Sequence, residues 1–196
     1  MSKRIFDLFF SFTAIVILTP VFLIISILIK ITMPGTVFFI QERVGEKGRI
    51  FKLLKFRSMR NNECSNANFE PGNVSRITKT GKFLRKTKLD ELPQLFNVLI
   101  GDMSIVGPRP EVKKWTEIFP ERWTIIHSVK PGITDNASIE FRNEEELLNQ
   151  ASDPEEFYRE TILPRKLALY EDYLINQTLW GDILIIIRTI KSVVFK

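Results

Sequence analysis

The strongest pattern in the chain is a single long apolar run: Leu8 to Ile29 carries no charged residue, while Lys3 and Arg4 precede it and Lys30, Arg43, Lys47 and Arg49 follow it. At about 1.5 Å per residue, a straight helix of that length just crosses a hydrocarbon core about 30 Å thick. Thr19-Pro20 interrupts the run near its middle. Proline has no N–H to give the Val16 carbonyl, and its ring crowds that carbonyl. In hydrocarbon the freed carbonyl needs another donor, and the Thr19 hydroxyl is the nearest. Basic residues on both flanks assign both ends to the cytoplasmic side, which a re-entrant hairpin satisfies and a straight crossing does not. A single span with a tolerated kink is the other reading, and the residues alone do not choose. No small-residue cleavage site precedes Lys30, which argues against a cleaved signal peptide.

Beyond the run, the pattern predicts short strands at Thr36–Ile40 and Ile50–Phe56, joined by a turn around Gly45 and Gly48. Asn61 to Ser75 is polar and reads as a mobile loop, a lid by composition. Thr80–Lys88 reads as a short basic helix. Leu92, Leu95, Phe96 and Leu99 then recur at helical spacing, predicting a buried face that Gly101 ends. Met103–Val106 reads as a short strand before the stiff Gly107-Pro108-Arg109-Pro110. Helices are predicted at Glu144–Gln150, Pro154–Ile162, Arg165–Asn176 and Leu179–Val194. The last aligns Trp180, Ile183, Leu184, Ile187, Ile190 and Val194 opposite Arg188 and Lys191. That stripe either lines the core or lies in a membrane interface. The fold class is α+β and mostly helical.

Composition narrows the chemistry. Among 196 residues, 28 Lys and Arg oppose 23 Asp and Glu, a net charge of +5. The excess suits anionic lipid, nucleotides or phosphorylated ligands. Nucleic acid is a poor partner for a membrane-attached chain with no recognition motif. Cys64 is the only cysteine, so no intrachain disulfide and no cysteine-based zinc site can form. His127 is the only histidine, which excludes histidine-rich metal sites. The chain length allows one compact domain beyond the membrane segment.

The residues best suited to chemistry lie at Lys88-Leu89-Asp90-Glu91-Leu92-Pro93. Proline is tolerated in the first turn of a helix, so a helix is predicted from about Glu91, with Asp90 at its start. Backbone N–H groups there would keep Asp90 ionised, fit to act as a nucleophile or a magnesium ligand. An ordinary N-cap is the plainer reading of the same aspartate. Arg85 on the preceding basic stretch, Lys55 and Arg57 at the end of the second strand, and Arg109 between two prolines are the cations that could grip a diphosphate. Each taken singly reads as surface charge. Lys130-Pro131-Gly132-Ile133-Thr134 is a turn by composition, and Asp182 is the only acid in the last helix.

KFRSM (Lys55–Met59), LDELPQLFNVLIGDMSIVGPRP (Leu89–Pro110) and KPGIT (Lys130–Thr134) together resemble the bacterial sugar transferases, and more closely their small monotopic phosphoglycosyl transferases. The resemblance implies transfer of a sugar-1-phosphate, hexose or N-acetylhexosamine, from a UDP-sugar to polyprenyl (undecaprenyl) phosphate with release of UMP. It implies Asp90 as the nucleophile of a covalent aspartyl phospho-sugar, Glu91 as its partner in the dyad, and Mg²⁺ held at Asp90 and Glu91. Lys55, Arg85 and Arg109 fall on phosphate or nucleotide contacts, Arg57 stays a substrate-binding candidate from its place beside Lys55, and Asp182 matches an acid near the site. Thr19-Pro20 matches a Ser-Pro helix break. Residues 1–34 are then a re-entrant membrane anchor. Residues 35–196 form a catalytic domain with interfacial helices at the cytoplasmic face of the bacterial inner membrane. Membrane lipids are expected partners, with downstream glycosyltransferases and a second copy of the chain as further candidates.

After Thr134 the chain departs from the family pattern: Asp135-Asn136-Ala137-Ser138-Ile139-Glu140-Phe141-Arg142-Asn143 replaces a Gly-Leu-Ala-Gln-Val-like run, and the acidic Glu144–Glu146 follows. That stretch bears on the donor sugar. The contrasting reading is an inactive membrane-attached module that holds a nucleotide-sugar or recruits glycosyltransferases. The intact Asp90-Glu91 and Arg109 argue against it.

Overall fold

The computed structural model describes residues 2–59 and 78–194, so the loop reading of Asn61–Ser75 falls outside it. The apolar run folds as one 31-residue helix, α1 (Ser2–Thr32), with Pro20 inside it. The expected helix-break-helix is thus an unbroken stretch of helical backbone. The Thr19 hydroxyl donates to the Ile15 carbonyl at 2.8 Å, one residue before the carbonyl that Pro20 leaves without its N–H. Asp7, Ser11, Ile25 and Ile29 are buried along α1. Ala14, Ile15 and Leu18 pack against the core around Met103, Ile105 and Val106, and Val21 and Phe22 against Phe56 and Leu84. The spacing of these residues is helical, so a face running the length of α1 rests on the rest of the protein. The opposite face exposes Ile5, Phe9, Phe12, Val16, Ile17, Leu23, Ile24, Ile27 and Ile31.

Polar contacts fix both ends of α1. The Lys3 ammonium pairs with Asp182 at 2.5 Å. Arg4 donates to the Val98 and Leu99 carbonyls at 2.7 and 3.1 Å. Asp7 accepts from the Ser104 hydroxyl at 3.0 Å and the Ile105 N–H at 3.1 Å. At the far end Arg57 donates to the Met33 carbonyl and, at 2.9 Å, to that of Pro34.

Strands β1 (Phe38–Val44) and β2 (Ile50–Phe56) form an antiparallel hairpin with Phe38 opposite Phe56 and Val44 opposite Ile50. β2 has its expected bounds, while β1 lies nearer the turn and extends through Gln41, Glu42 and Arg43. Helix α2 (Lys79–Lys86) is capped by the Thr78 hydroxyl and leads to α3 (Gln94–Ile100), which ends at Gly101 in a left-handed conformation. The buried face of α3 is Gln94, Leu95, Asn97 and Val98 rather than the expected leucine stripe. Asn97 explains the rotation: its side-chain amide donates to the Lys52 carbonyl at 2.8 Å and accepts from the Leu54 N–H at 3.0 Å, acting as a strand partner for β2.

β3 (Ser104–Val106) and β4 (Gly132–Thr134) pair in parallel. The KPGIT stretch read as a turn therefore carries a strand. Gly107 and Gly132 lie so close that a Cβ on Gly132 would stand 2.1 Å from the Gly107 nitrogen, a contact only glycine allows. The C-terminal part adds α4 (Lys113–Thr116), α5 (Pro120–Ile126), α6 (Asn136–Glu140), α7 (Glu144–Gln150) and α8 (Pro154–Phe157). A π-helical turn (Tyr158–Ile162) leads from α8 into α9 (Leu163–Ile175), and α10 (Leu179–Val194) follows. Trp115, Trp123, Leu163, Leu167 and Tyr170 anchor the core of this part. α10 turns Asp182 and Ile185 inward and leaves Trp180, Leu184, Ile187 and Ile190 exposed, so its apolar stripe does not line the core.

Candidate active site

Asp90 and Glu91 sit in a 3-10 turn (Leu89–Glu91) between α2 and α3, entered through Lys88 at φ 56. A left-handed lysine is uncommon; here it turns the chain sharply out of α2. Helix α3 begins only after Pro93, later than the sequence suggests, so Asp90 does not occupy its start. The expected stabilisation by backbone N–H groups is replaced by burial. Asp90 is 7% exposed, and its Oδ1 is buried without a hydrogen-bond partner among the described residues. Burial and the neighbouring Glu91 raise its pKa to about 6, against the pull of Lys55, Lys88 and Arg85.

Glu91 has the opposite environment. Arg109 grips its carboxylate with two nitrogens, Nη1 to Oε2 at 3.1 Å and Nη2 to Oε1, and Lys55 Nζ lies 3.1 Å from Oε1. Burial favours the neutral acid, but the Arg109 guanidinium and the Lys55 ammonium outweigh it and hold Glu91 well below the usual carboxylate range. The same pairing raises Arg109, whereas burial pulls Lys55 below its ordinary value.

Backbone geometry puts these cations in place. Lys55 lies on β2 opposite Phe39, on the hairpin face that also carries Gln41 and Arg43. The Arg109 segment is pinned on both sides: the Gly132 N–H donates to the Pro108 carbonyl at 2.9 Å and the Val44 N–H to the Glu111 carbonyl at 2.9 Å.

Of the residues singled out in the sequence, the fold brings together Lys55, Asp90, Glu91 and Arg109. Arg57 is buried and turned to the carbonyls that end α1. Arg85 pairs with Glu145 at 3.4 Å and reaches Asp90 only through its field. Asp182 is fully buried between Lys3 and the Tyr173 hydroxyl, which donates to it at 2.9 Å. Sequence reasoning passed over Gln94 and Glu111, took Arg43 only as a flanking cation, and named Asp135 only as the start of the departing stretch. Strand alternation on β1 was the available signal for Arg43, which shares a face with Lys55. Gln94 is buried with its Nε2 unpartnered among the described residues. Asp135 is buried, accepts from the Ser138 N–H and hydroxyl at 2.8 and 2.6 Å, and feels the field of Arg109.

Among the described residues no group of three or more His, Cys, Asp or Glu could hold a metal unaided. Mg²⁺ commonly takes one or two carboxylates and completes its shell from phosphates and water. Asp90 with a free oxygen beside Glu91 fits that limited role. Two acids pushed to opposite protonation behaviour beside two cations make a site suited to phosphate chemistry by a carboxylate.

The family model described as bacterial sugar transferase matches residues 1–196. Among curated proteins the chain is similar to the UDP-N-acetylgalactosamine-undecaprenyl-phosphate N-acetylgalactosaminephosphotransferase of Aeromonas hydrophila. The two are 37% identical over 195 residues, covering 97% of this chain and 43% of that protein. It is also similar to the UDP-glucose:undecaprenyl-phosphate glucose-1-phosphate transferase of Escherichia coli (strain K12), 37% identical over 195 residues, 97% of this chain and 39% of that protein. The exopolysaccharide production protein ExoY of Sinorhizobium fredii is 32% identical over 209 residues, 98% of this chain and 85% of that protein. The chain thus spans less than half the length of the first two and most of the third.

Proposed function

The chain belongs to the bacterial sugar transferase family, and on that premise we propose that it moves a sugar-1-phosphate from a UDP-sugar to undecaprenyl phosphate, using Asp90 as the nucleophile. The observation that carries this reading is the asymmetry of the dyad: Asp90 keeps a buried oxygen without a partner among the described residues, while Glu91 is gripped by Arg109 and Lys55.

In the first step an Asp90 oxygen attacks the β-phosphorus of the donor. The new O–P bond forms as the bond from that phosphorus to the bridging oxygen breaks, and UMP leaves with the electron pair. In the second step an oxygen of undecaprenyl phosphate attacks the same phosphorus. The Asp90 O–P bond breaks, the carboxylate is restored, and the product is an undecaprenyl diphosphate sugar. Phosphoryl transfer of this kind depends on positioning and charge neutralisation. Arg109 and Lys55 supply both, exchanging Glu91 oxygens for phosphate oxygens when the donor enters. Mg²⁺ held by Asp90 or Glu91 with the diphosphate would neutralise further negative charge. The named relatives differ in sugar, N-acetylgalactosamine in one and glucose in another, so the donor is a matter for assay.

The acceptor is a lipid, which requires the site to sit at a membrane. The reading places the protein on the cytoplasmic face of the inner membrane, with α1 lying along the domain, its exposed apolar face in the bilayer and both of its ends on the same side. Its support is that both ends of α1 are fastened to one domain, by Lys3, Arg4 and Asp7 at one end and by Arg57 at the other. The exposed stripe of α10 suits the headgroup layer.

The test is UMP release from a panel of UDP-sugars by the purified full chain, with Mg²⁺ and undecaprenyl phosphate. Intact mass is then read without acceptor. The expected outcome is turnover on at least one donor, a phospho-sugar adduct on wild type, and neither in Asp90→Asn. Near-normal turnover in Asp90→Asn would remove the nucleophile assignment. No UMP from any donor, with nucleotide-sugar still bound, would favour a binding module.

A further inference from the structure

Behind Arg109 lies a second set of charges that the transfer does not consume. Glu111, two residues on, is 7% exposed and collects donors from three separate elements. The Tyr158 hydroxyl of the π-helical turn donates to it at 2.7 Å, Arg43 Nη1 of β1 lies at 3.1 Å, and Lys166 Nζ of α9 at 3.8 Å. Lys166 is itself 3% exposed. It pairs with Glu144 of α7 at 2.6 Å, and its ammonium stands 4.9 Å from the centre of the Tyr158 ring. The other Arg43 donors go to Gln41 Oε1, at 2.8 and 3.2 Å, and to the Pro110 carbonyl at 3.2 Å. Glu111 and Lys166 are buried, Arg43 and Glu144 are partly so, and the charges are spent on one another rather than left open to a donor or acceptor. Their shared target is the backbone and side chain of the two residues that follow Arg109.

We infer that Glu111 is a positioning residue, a buried hub that fixes the Arg109 fork by tying its segment to β1, the π-helical turn and α9. The physical basis is the cost of leaving a buried charge without its partner, which makes the arrangement all-or-none. Net attraction to Lys166 and Arg43 holds the Glu111 carboxyl below its usual range despite burial, in keeping with a permanent anion. π-helical turns concentrate at functional sites, and here the turn delivers the Tyr158 hydroxyl. Through Lys166 and Glu144 the hub also reaches the acidic segment where the chain departs from the family pattern.

This inference rests on the phosphoglycosyl transfer proposed above, and its test separates the two. The full chain in detergent micelles is given a UDP-sugar that wild type uses, without acceptor, and UMP release is followed in a single turnover. Glu111→Gln is expected to slow release by about 10²-fold, the loss typical of a group misplaced by about 1 Å. Arg109→Lys is expected to slow it as well. If Glu111 acts through Arg109, the double variant releases UMP within about 2-fold of the slower single variant. A structural role with no route through Arg109 gives multiplying losses instead, and that result overturns the inference. So does a Glu111→Gln rate within about 2-fold of wild type. If Glu111→Gln yields no folded protein, Tyr158→Phe combined with Arg109→Lys applies the same criterion to a milder loosening of the hub. Failure of wild type to release UMP from any donor refutes the transferase reading instead.

Discussion

Asp90 and Glu91 differ by one methylene and one position in the chain, yet their surroundings set them opposite tasks. Burial raises Asp90 to about 6. On the proposed mechanism only its ionised form attacks phosphorus, so adduct formation without acceptor should fall about tenfold per unit below pH 6. Omitting the acceptor matters, because a phosphate monoester titrates near the same pH. The stability effect has the reverse sense. A carboxyl whose pKa is higher folded than unfolded binds its proton more tightly in the native state. The stability that the protonated Asp90 contributes is therefore fully present at low pH and is lost as pH rises from the unfolded value of 3.8 through about 6. At pH 7.5, Asp90→Asn should stabilise the protein by on the order of 1–3 kcal/mol, with little gain at pH 4; thermal melts at the two pH values check this. Glu91→Gln should do the opposite, costing about 1–3 kcal/mol at pH 7.5, because Arg109 and Lys55 lose a charged acceptor. Equal melting shifts for the two variants would contradict the asymmetry. The sequence shows both acids and both cations. It does not show which acid is held, since that depends on Arg109 arriving from eighteen positions along the chain.

At the scale of elements, local pattern worked where one face met one environment. β2, α7 and α10 have the bounds that alternation and helical spacing predict. It erred where a polar side chain serves the core. Asn97 rotates α3 inward because its amide completes the edge of β2, and the glycine and proline of KPGIT conceal β4. The β3–β4 pair carries the site on its extension, as Gly107 leads straight into the Arg109 segment. Gly132→Ala should therefore damage fold and activity together, because its Cβ would stand 2.1, 2.3 and 2.7 Å from Gly107 backbone atoms. The expected loss is about 3 kcal/mol or more, with UMP release falling in parallel. A Gly132→Ala protein that melts within a degree of wild type would show that the crossing can widen.

For the molecule as a whole, the decisive feature is how α1 is mounted. A helix that crossed the bilayer would carry one end away from the domain, but Lys3 and Asp7 at one end and Met33 at the other touch the same body. In a Cys64→Ser background, cysteines at Ser2 and at Lys30 should both react with an impermeant thiol reagent only from the cytoplasmic side. Labelling from opposite sides would establish a crossing. The sequence by itself determined that a long apolar segment flanked by cations exists, that strands precede a helical C-terminal part, and that acids and arginines suited to phosphate are present. Those are properties of composition and short-range periodicity. Tertiary structure alone decided that Lys55 and Arg109 close on Glu91 while Arg57, Arg85 and Asp182 turn to other partners. It also decided that Asp90 loses its water and that α1 lies along the domain. Charge pairing and desolvation act through space between distant segments, and neither leaves a trace in local spacing.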